Sequence, residues 1–188
     1  MSGESRSGGE ARVSFVSRDL TKVEVRLRWD PSSLGEAPRH LDIIAGTYAE
    51  ADPWGRPVYL THYDSRSPDG TITMNRHSQT GQGFGYVEVM VLELDRLAAD
   101  YKRVVVGVAI HQKEVPRTFA DMSNVGVMVV EGYRELLTDD FTTVADSTAA
   151  TVAEFVRGET GAWAMRAMIR GFDSDPATFA TEMGGTRE

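Results

Sequence analysis

Alternation of apolar and polar residues with a period of two is the feature that most constrains how this chain can fold. In the segment VEVRLRW, residues 23–29, the apolar residues Val23, Val25, Leu27 and Trp29 alternate with charged ones. Successive side chains of a strand point to opposite faces of a sheet. The segment is therefore predicted to be a strand with one buried and one wet face.

Several further segments have the composition of strands. Residues 86–94 and 104–111 are apolar on both faces, which is typical of central strands in packed sheets. Other strands are predicted at residues 41–48, 57–63, 71–75 and 125–137, and a hairpin at 149–172 that turns at RGETG. Many short strands separated by turn sequences such as SPDG indicate an antiparallel β-sandwich of two sheets.

Helical patterns are few. Residues 94–103 are predicted to form one or two helical turns capped by Asp95. The segment DSDPATFATEMGG predicts a C-terminal helix that begins after Ser174 or Asp175 and ends at the two glycines. The predicted fold class is mostly β, an antiparallel β-sandwich with a few short helices including a C-terminal one.

Length and composition limit the domain organisation and the chemistry. The chain has 188 residues, of which 41% are hydrophobic, and this is enough for one domain with an ordinary core. Residues 1–12 are predicted to be a disordered tail, and residues 13–188 to form a single β-sandwich domain. The absence of cysteine excludes disulfides, thiolate metal sites and a cysteine nucleophile.

Charge and hydropathy limit the partners. The net charge is -8, and no cluster of lysine and arginine reverses it locally, so no nucleic-acid partner is expected. No apolar run approaches the roughly 20 residues of a membrane helix, so no membrane span is expected. The N-terminus lacks the apolar core of a signal peptide, and we expect a cytoplasmic location.

The stretch MNRHSQTGQGFGYVE, residues 74–88, carries glycine at every second position from Gly81 to Gly85. A phosphate-binding loop would need a helix directly after the glycines, and a strand is predicted there instead. A calcium loop needs about six to eight oxygen ligands, whereas Glu88 is the only acid in the stretch. The residues alone favour a connecting loop whose glycines adopt positive φ.

A series of landmarks along the chain resembles a known family. In order, they are VEVRLRWD, HLDIIAG, YDSRSPDGTI, QTGQGFGYVEVMVLEL, VVVGVAIHQ, RTFADM and GAWAMRAMIRGF. Together they resemble the tellurium-resistance (TerD-like) family of bacterial stress proteins over residues 12–183. The resemblance implies a β-sandwich that binds calcium in acidic loops at one end.

This chain departs from the family pattern where the calcium ligands would be. His40 and His77 stand at positions that are acidic in the family, and Phe84 and Tyr86 interrupt its acidic run. The carboxylates that remain as metal ligands are Asp42, Asp64, Asp69 and Glu88. Because affinity depends on ligand charge, we expect calcium binding to be weak or absent.

The histidines suggest a different ion. His40 and His77 stand where the family has acids, and His62 lies two residues before Asp64. Imidazole with carboxylate suits zinc, nickel or copper better than calcium. The favoured interpretation is that these are loop histidines which contact solvent or aromatic rings. His111, at the end of a buried strand, is predicted to be structural.

No catalytic residue is assigned. The sequence has no Gly-x-Ser-x-Gly nucleophile elbow, and no feature of it requires a general acid and a general base to lie together.

The resemblance implies a non-enzymatic stress-response module, which we expect to bind other proteins of such a system through Phe84, Tyr86 and Trp54. One alternative is a calcium-dependent stress-response protein with one retained site. Another is a sandwich that binds sugars or small ligands or hydrolyses them. The partner and the oligomeric state are left open.

Overall fold

The computed structural model describes residues 15–185, and the tail predicted at residues 1–12 lies outside them. The strands are β1 (Phe15–Leu20), β2 (Lys22–Arg28), β3 (Leu41–Ala49), β4 (Tyr59–Thr61), β5 (Ile72–Arg76), β6 (Glu88–Glu93), β7 (Tyr101–Ile110), β8 (Gly126–Glu131), β9 (Arg134–Asp139), β10 (Ala149–Arg157) and β11 (Trp163–Phe172). Helix α1 covers Pro176–Glu182, and single 3₁₀ turns lie at Leu94–Arg96, Phe119–Asp121 and Thr142–Val144.

The strands form two antiparallel sheets. The larger has the order β1-β11-β10-β7-β3-β4, and the smaller has the order β5-β6-β2-β8-β9. The predicted mostly β fold with two sheets and a short C-terminal helix is confirmed. The hairpin predicted at residues 149–172 is present as β10 and β11.

The core lies between the two sheets and explains the alternation in the sequence. Val23, Val25 and Leu27 of β2 are fully buried, whereas the residues between them are partly exposed. Trp29 and Trp163 lie in this core, as predicted. The central strands of the larger sheet are apolar on both faces because α1 covers the outer face and forms a second apolar cluster there.

One helix prediction was confirmed and another was wrong in its details. Helix α1 begins after Asp175, whose side chain accepts a hydrogen bond from the backbone N–H of Thr178. The segment at 94–103 forms only a 3₁₀ turn, and Asp95 lies inside it without capping it. The chain is extended again from Tyr101 because pairing of β7 with its neighbours outweighs the local helical preference. Within residues 15–185, no helix is long and apolar enough to cross a bilayer.

Candidate metal centre

Strands from both sheets deliver side chains to one end of the sandwich. β3 begins and β7 ends there, with Leu41 paired to Ile110, so His40 and His111 flank the same edge. The backbone N–H of His111 donates to the carbonyl of His40 over 2.8 Å. β5 ends and β6 begins at this end as well, which places the glycine loop, residues 77–87, beside the two histidines.

Asp42 is the centre of the cluster, and its side chain is only 3% exposed. One carboxylate oxygen, Oδ1, accepts a hydrogen bond from His40 Nε2 over 3.0 Å, and the other accepts one from His111 Nε2. The two imidazole rings stack with centroids 3.9 Å apart. Burial acts to raise the pKa of Asp42, but the hydrogen bonds from His111 and His40 outweigh it and hold that pKa below its usual value. Asp42 is therefore an anion at neutral pH.

His77 approaches the same carboxylate from the other sheet. Its Nδ1 atom lies 3.9 Å from Oδ1 of Asp42 and 3.1 Å from Oε2 of Glu88. The ring stacks on Tyr63 with a centroid distance of 4.7 Å. Burial lowers the pKa of His77, so the imidazole is neutral at neutral pH.

Glu88 links the two sheets beneath His77. Its side chain is fully buried, and Oε1 accepts a hydrogen bond from the backbone N–H of Ile43 over 2.7 Å. Burial raises the pKa of Glu88 to about 9. The group is then a neutral carboxylic acid at pH 7, and its Oε2 lies within hydrogen-bond distance of His77 Nδ1, at 3.1 Å. A neutral acid is not the charged oxygen ligand on which calcium affinity depends.

The four carboxylates predicted as metal ligands occupy different surroundings. Asp42 and Glu88 meet at His77, as described above. Asp64 lines a cavity of about 310 Å³ together with Asp42. The Asp69 side chain bonds within its own loop, where Oδ1 accepts hydrogen bonds from the backbone N–H and the hydroxyl of Thr71.

Among the described residues, one group of ligand atoms converges as a metal would require. It consists of His40, Asp42 and His77, whose ligand atoms all lie within 4.8 Å of one another. Two of its three donors are imidazole nitrogens, so it does not fit calcium, which takes about six to eight oxygen ligands. His40 and His77 are metal-ligand candidates from the sequence, whereas His111 is predicted from the sequence to be structural. The feature of the sequence that could have placed His111 at this site is its position at the end of a buried strand, β7, which pairs with the strand that follows His40.

The aromatic residues predicted to form one surface lie in different places. Phe84 is 97% exposed on the glycine loop. Tyr86 is partly buried, and the guanidinium of Arg28 lies over its ring, 5.4 Å from the ring centre. Trp54 follows the far end of β3, and its ring centre lies 4.0 Å from the guanidinium of Arg103. Because β3 spans roughly 25–30 Å at about 3.3 Å per residue, Trp54 and Phe84 belong to opposite ends of the sandwich.

Comparison with known proteins agrees with this architecture. The family model described as TerD domain matches residues 1–182. Two proteins named tellurium resistance protein TerD, from an Alcaligenes species and from Serratia marcescens, are 26% and 24% identical over 181 residues, and each alignment covers 94% of both chains. A crystal structure of a homologue of telluride resistance protein (TerD) from Streptomyces coelicolor A3(2) is 63% identical, with a TM-score of 0.88 over 89% of this chain and 99% of that chain. The chain therefore belongs to the TerD domain family.

Proposed function

We propose that this chain is a non-enzymatic module of a bacterial stress response, that it acts by binding other proteins, and that calcium does not drive this binding. The relatives named for tellurium resistance support the assignment to a stress response. The lack of a cysteine and of a nucleophile elbow in the sequence supports a role without catalysis. The donor set around Asp42, rich in imidazole, supports independence from calcium.

Exposure of Phe84 is the observation that carries the proposed protein interaction. The side chain is 97% exposed and stands between Gly83 and Gly85, both with positive φ. Tyr63, which is 40% exposed, lies at the same end of the sandwich and stacks on His77. Exposed aromatic side chains are enriched at the centres of protein interfaces, where they lose water on binding.

Replacement of Phe84 by aspartate tests this surface. The substitution places a charge where a partner would bury an apolar ring, so we expect Phe84→Asp to lose the proteins that co-purify with the wild type from source cells. The matched control is Tyr133→Asp, because Tyr133 is also fully exposed but lies in the β8–β9 turn at the other end. An unchanged set of co-purified proteins with Phe84→Asp would contradict the proposal.

The response to calcium separates this function from the calcium-dependent alternative, which would use Asp42, Asp64, Asp69 and Glu88. A ligand that binds only the folded state must stabilise it, by about 2.7 kcal/mol at a concentration 100 times its Kd. We expect the melting temperature of metal-free protein to stay unchanged in millimolar calcium. A large increase in melting temperature would support the calcium-dependent alternative instead.

A further inference from the structure

We propose that His40, Asp42 and His77 form a binding site for one borderline divalent transition-metal ion, such as Zn²⁺ or Ni²⁺, in place of calcium. The ligand atoms are His40 Nε2, Asp42 Oδ1 and His77 Nδ1. His111 is a positioning residue that holds the second oxygen of Asp42. This inference does not depend on the proposed protein interaction.

The distances among the ligand atoms match those around a small ion. Zinc bonds to imidazole nitrogen and carboxylate oxygen are about 2.0–2.2 Å long, so neighbouring ligands of a tetrahedral ion lie about 3.3 Å apart. Here His40 Nε2 lies 3.0 Å from Asp42 Oδ1, and His77 Nδ1 lies 3.9 Å from that same oxygen. All three ligand atoms lie within 4.8 Å of one another, so they are close enough to share one ion.

The positions of the three ligand side chains are fixed by the strands β3 and β5. Asp42 lies at the start of β3 and His40 directly precedes this strand, where its carbonyl still pairs with His111; the spacing of two places both side chains on one face of the sheet. His77 follows the last residue of β5 directly. The backbone of Ile43 in β3 bonds to Glu88 in β6, which ties the two sheets together at the level of the site. Asp42 lies within a strand, and His40 and His77 each lie directly next to a strand end, which holds ligand geometry more precisely than a long mobile loop does.

The surroundings of the ligands resemble those of known metal sites. A carboxylate or an imidazole bound to a metal is usually oriented by a hydrogen bond from a second side chain. His111 supplies that bond to Asp42. Glu88 Oε2 lies 3.1 Å from the same His77 Nδ1, so a metal ion bound at that nitrogen replaces this hydrogen bond.

The chemistry of the donors selects the class of ion. Two imidazole nitrogens with one carboxylate suit zinc, nickel, copper or cobalt, whereas calcium and magnesium prefer oxygen ligands alone. The side chains of His40 and His77 are 12% and 25% exposed, so the ligand shell is mostly enclosed while one side stays open to an entering ion. Without cysteine, the chain has no thiolate that would compete for the metal.

Calorimetric titration of tag-free, metal-stripped protein tests the proposal directly. We expect one Zn²⁺ per chain, and an affinity for Zn²⁺ at least about 100-fold higher than for Ca²⁺ or Mg²⁺. Loss of an outer-shell partner typically weakens metal binding about 10–100-fold, so His111→Asn should fall in that range and His77→Ala at or beyond its upper end.

The matched control is His62→Ala, which also removes one histidine at this end of the sandwich. His62 lies outside the converging group, and its Nδ1 accepts a hydrogen bond from the backbone N–H of Asp64. Its removal should leave the affinity for Zn²⁺ unchanged. Equal losses in His62→Ala and His77→Ala, binding of several ions per chain, or equal affinity for Ca²⁺ would each overturn the proposal.

A measurement on the wild type covers the case in which a variant does not fold. The imidazole nitrogens can be followed by NMR with ¹⁵N-labelled histidine while Zn²⁺ is added. We expect stoichiometric shifts at His40 Nε2 and His77 Nδ1, a smaller change at His111, and none at His62. Shifts confined to His62, or the absence of any shift at equimolar Zn²⁺, would show that this cluster is not a metal site.

Discussion

Gly81 shows at the scale of a single residue what fixes the path of the glycine loop. Its φ is +82°, and a Cβ atom at this position would lie 2.6 Å from Nε1 and 2.8 Å from the carbonyl oxygen of Trp29. Trp29 cannot yield, because it is buried and its Nε1–H donates to the carbonyl of Arg39 over 2.9 Å. The glycine is thus required by the fold and does not depend on a bound ion.

Alanine at Gly81 and Gly85 separates steric conflict from backbone strain. Gly85 also has a positive φ, +63°, but apart from its chain neighbours no atom of residues 15–185 lies within 4 Å of a Cβ built there. We expect Gly85→Ala to lower the free energy of unfolding by about 1–2 kcal/mol through left-handed strain. Gly81→Ala should lower it by about 1–3 kcal/mol more, because overpacking against Trp29 adds to the strain. Urea denaturation measures both, and equal losses in the two variants would contradict this account.

Helix α1 is the element that completes the larger sheet. It has seven residues, too few for a stable isolated helix, and is held by burial of Phe179, Ala180 and Met183 on the outer face of the sheet. Arg103 strengthens the attachment, because its guanidinium donates to the carbonyl of Gly184 over 2.6 Å. The helix therefore depends on tertiary packing, together with its cap.

The cap of this helix should be sensitive to acid. The hydrogen bond from the backbone N–H of Thr178 holds the pKa of Asp175 below its usual value of 3.8. The stabilisation is present above that usual pKa and is lost as the pH falls through the lowered pKa of the folded state. We expect the amide proton shift of Thr178, followed by NMR, to titrate with a midpoint below 3.8.

Two variants control the titration of the cap. Asp175→Asn keeps a good capping side chain and should abolish the titration while the helix stays folded. Asp175→Ala removes the cap and should speed hydrogen exchange of the α1 amides. A titration midpoint at or above 3.8 in the wild type would contradict capping by the ionised carboxylate.

At the scale of the whole molecule, the two sheets share one core and should unfold together. The main apolar cluster contains residues of both sheets, including Trp29 next to β2 and Trp163 at the start of β11. Neither sheet can keep its inner face buried without the other. We therefore expect a single cooperative transition.

Tryptophan fluorescence can report on each sheet separately. In a Trp54→Phe background, Trp29→Phe leaves Trp163 as the reporter of the larger sheet, and Trp163→Phe leaves Trp29 as the reporter of the smaller one. Far-ultraviolet circular dichroism, measured on each variant, supplies the reference. We expect the fluorescence midpoint to coincide with the circular dichroism midpoint in both variants. A reporter that changes before the loss of β-structure would show that the sheets separate.

The sequence by itself determined most of the strands, the RGETG turn and the C-terminal cap, but it did not predict β1 or the turn between β8 and β9. Each of these predicted features depends on residues that are neighbours along the chain. Examples are the alternation in β2, the RGETG turn, and Asp175 directly before Pro176. The helix predicted at residues 94–103 with Asp95 as its cap does not form, because pairing of β7 with distant strands decides the conformation there.

Only the tertiary structure decided that three of the histidines lie together in one cluster. His40, His77 and His111 are far apart in the chain and meet because the register of β3 with β7 and the approach of β5 and β6 bring their strand ends together. Burial, which no local pattern reports, raises the pKa of Glu88 to about 9 and so changes it from an apparent anionic ligand into a neutral acid. The same topology separates Trp54 from Phe84. Trp54 follows the end of β3, Phe84 lies in the loop near its beginning, and the two ends of this strand lie at opposite ends of the sandwich.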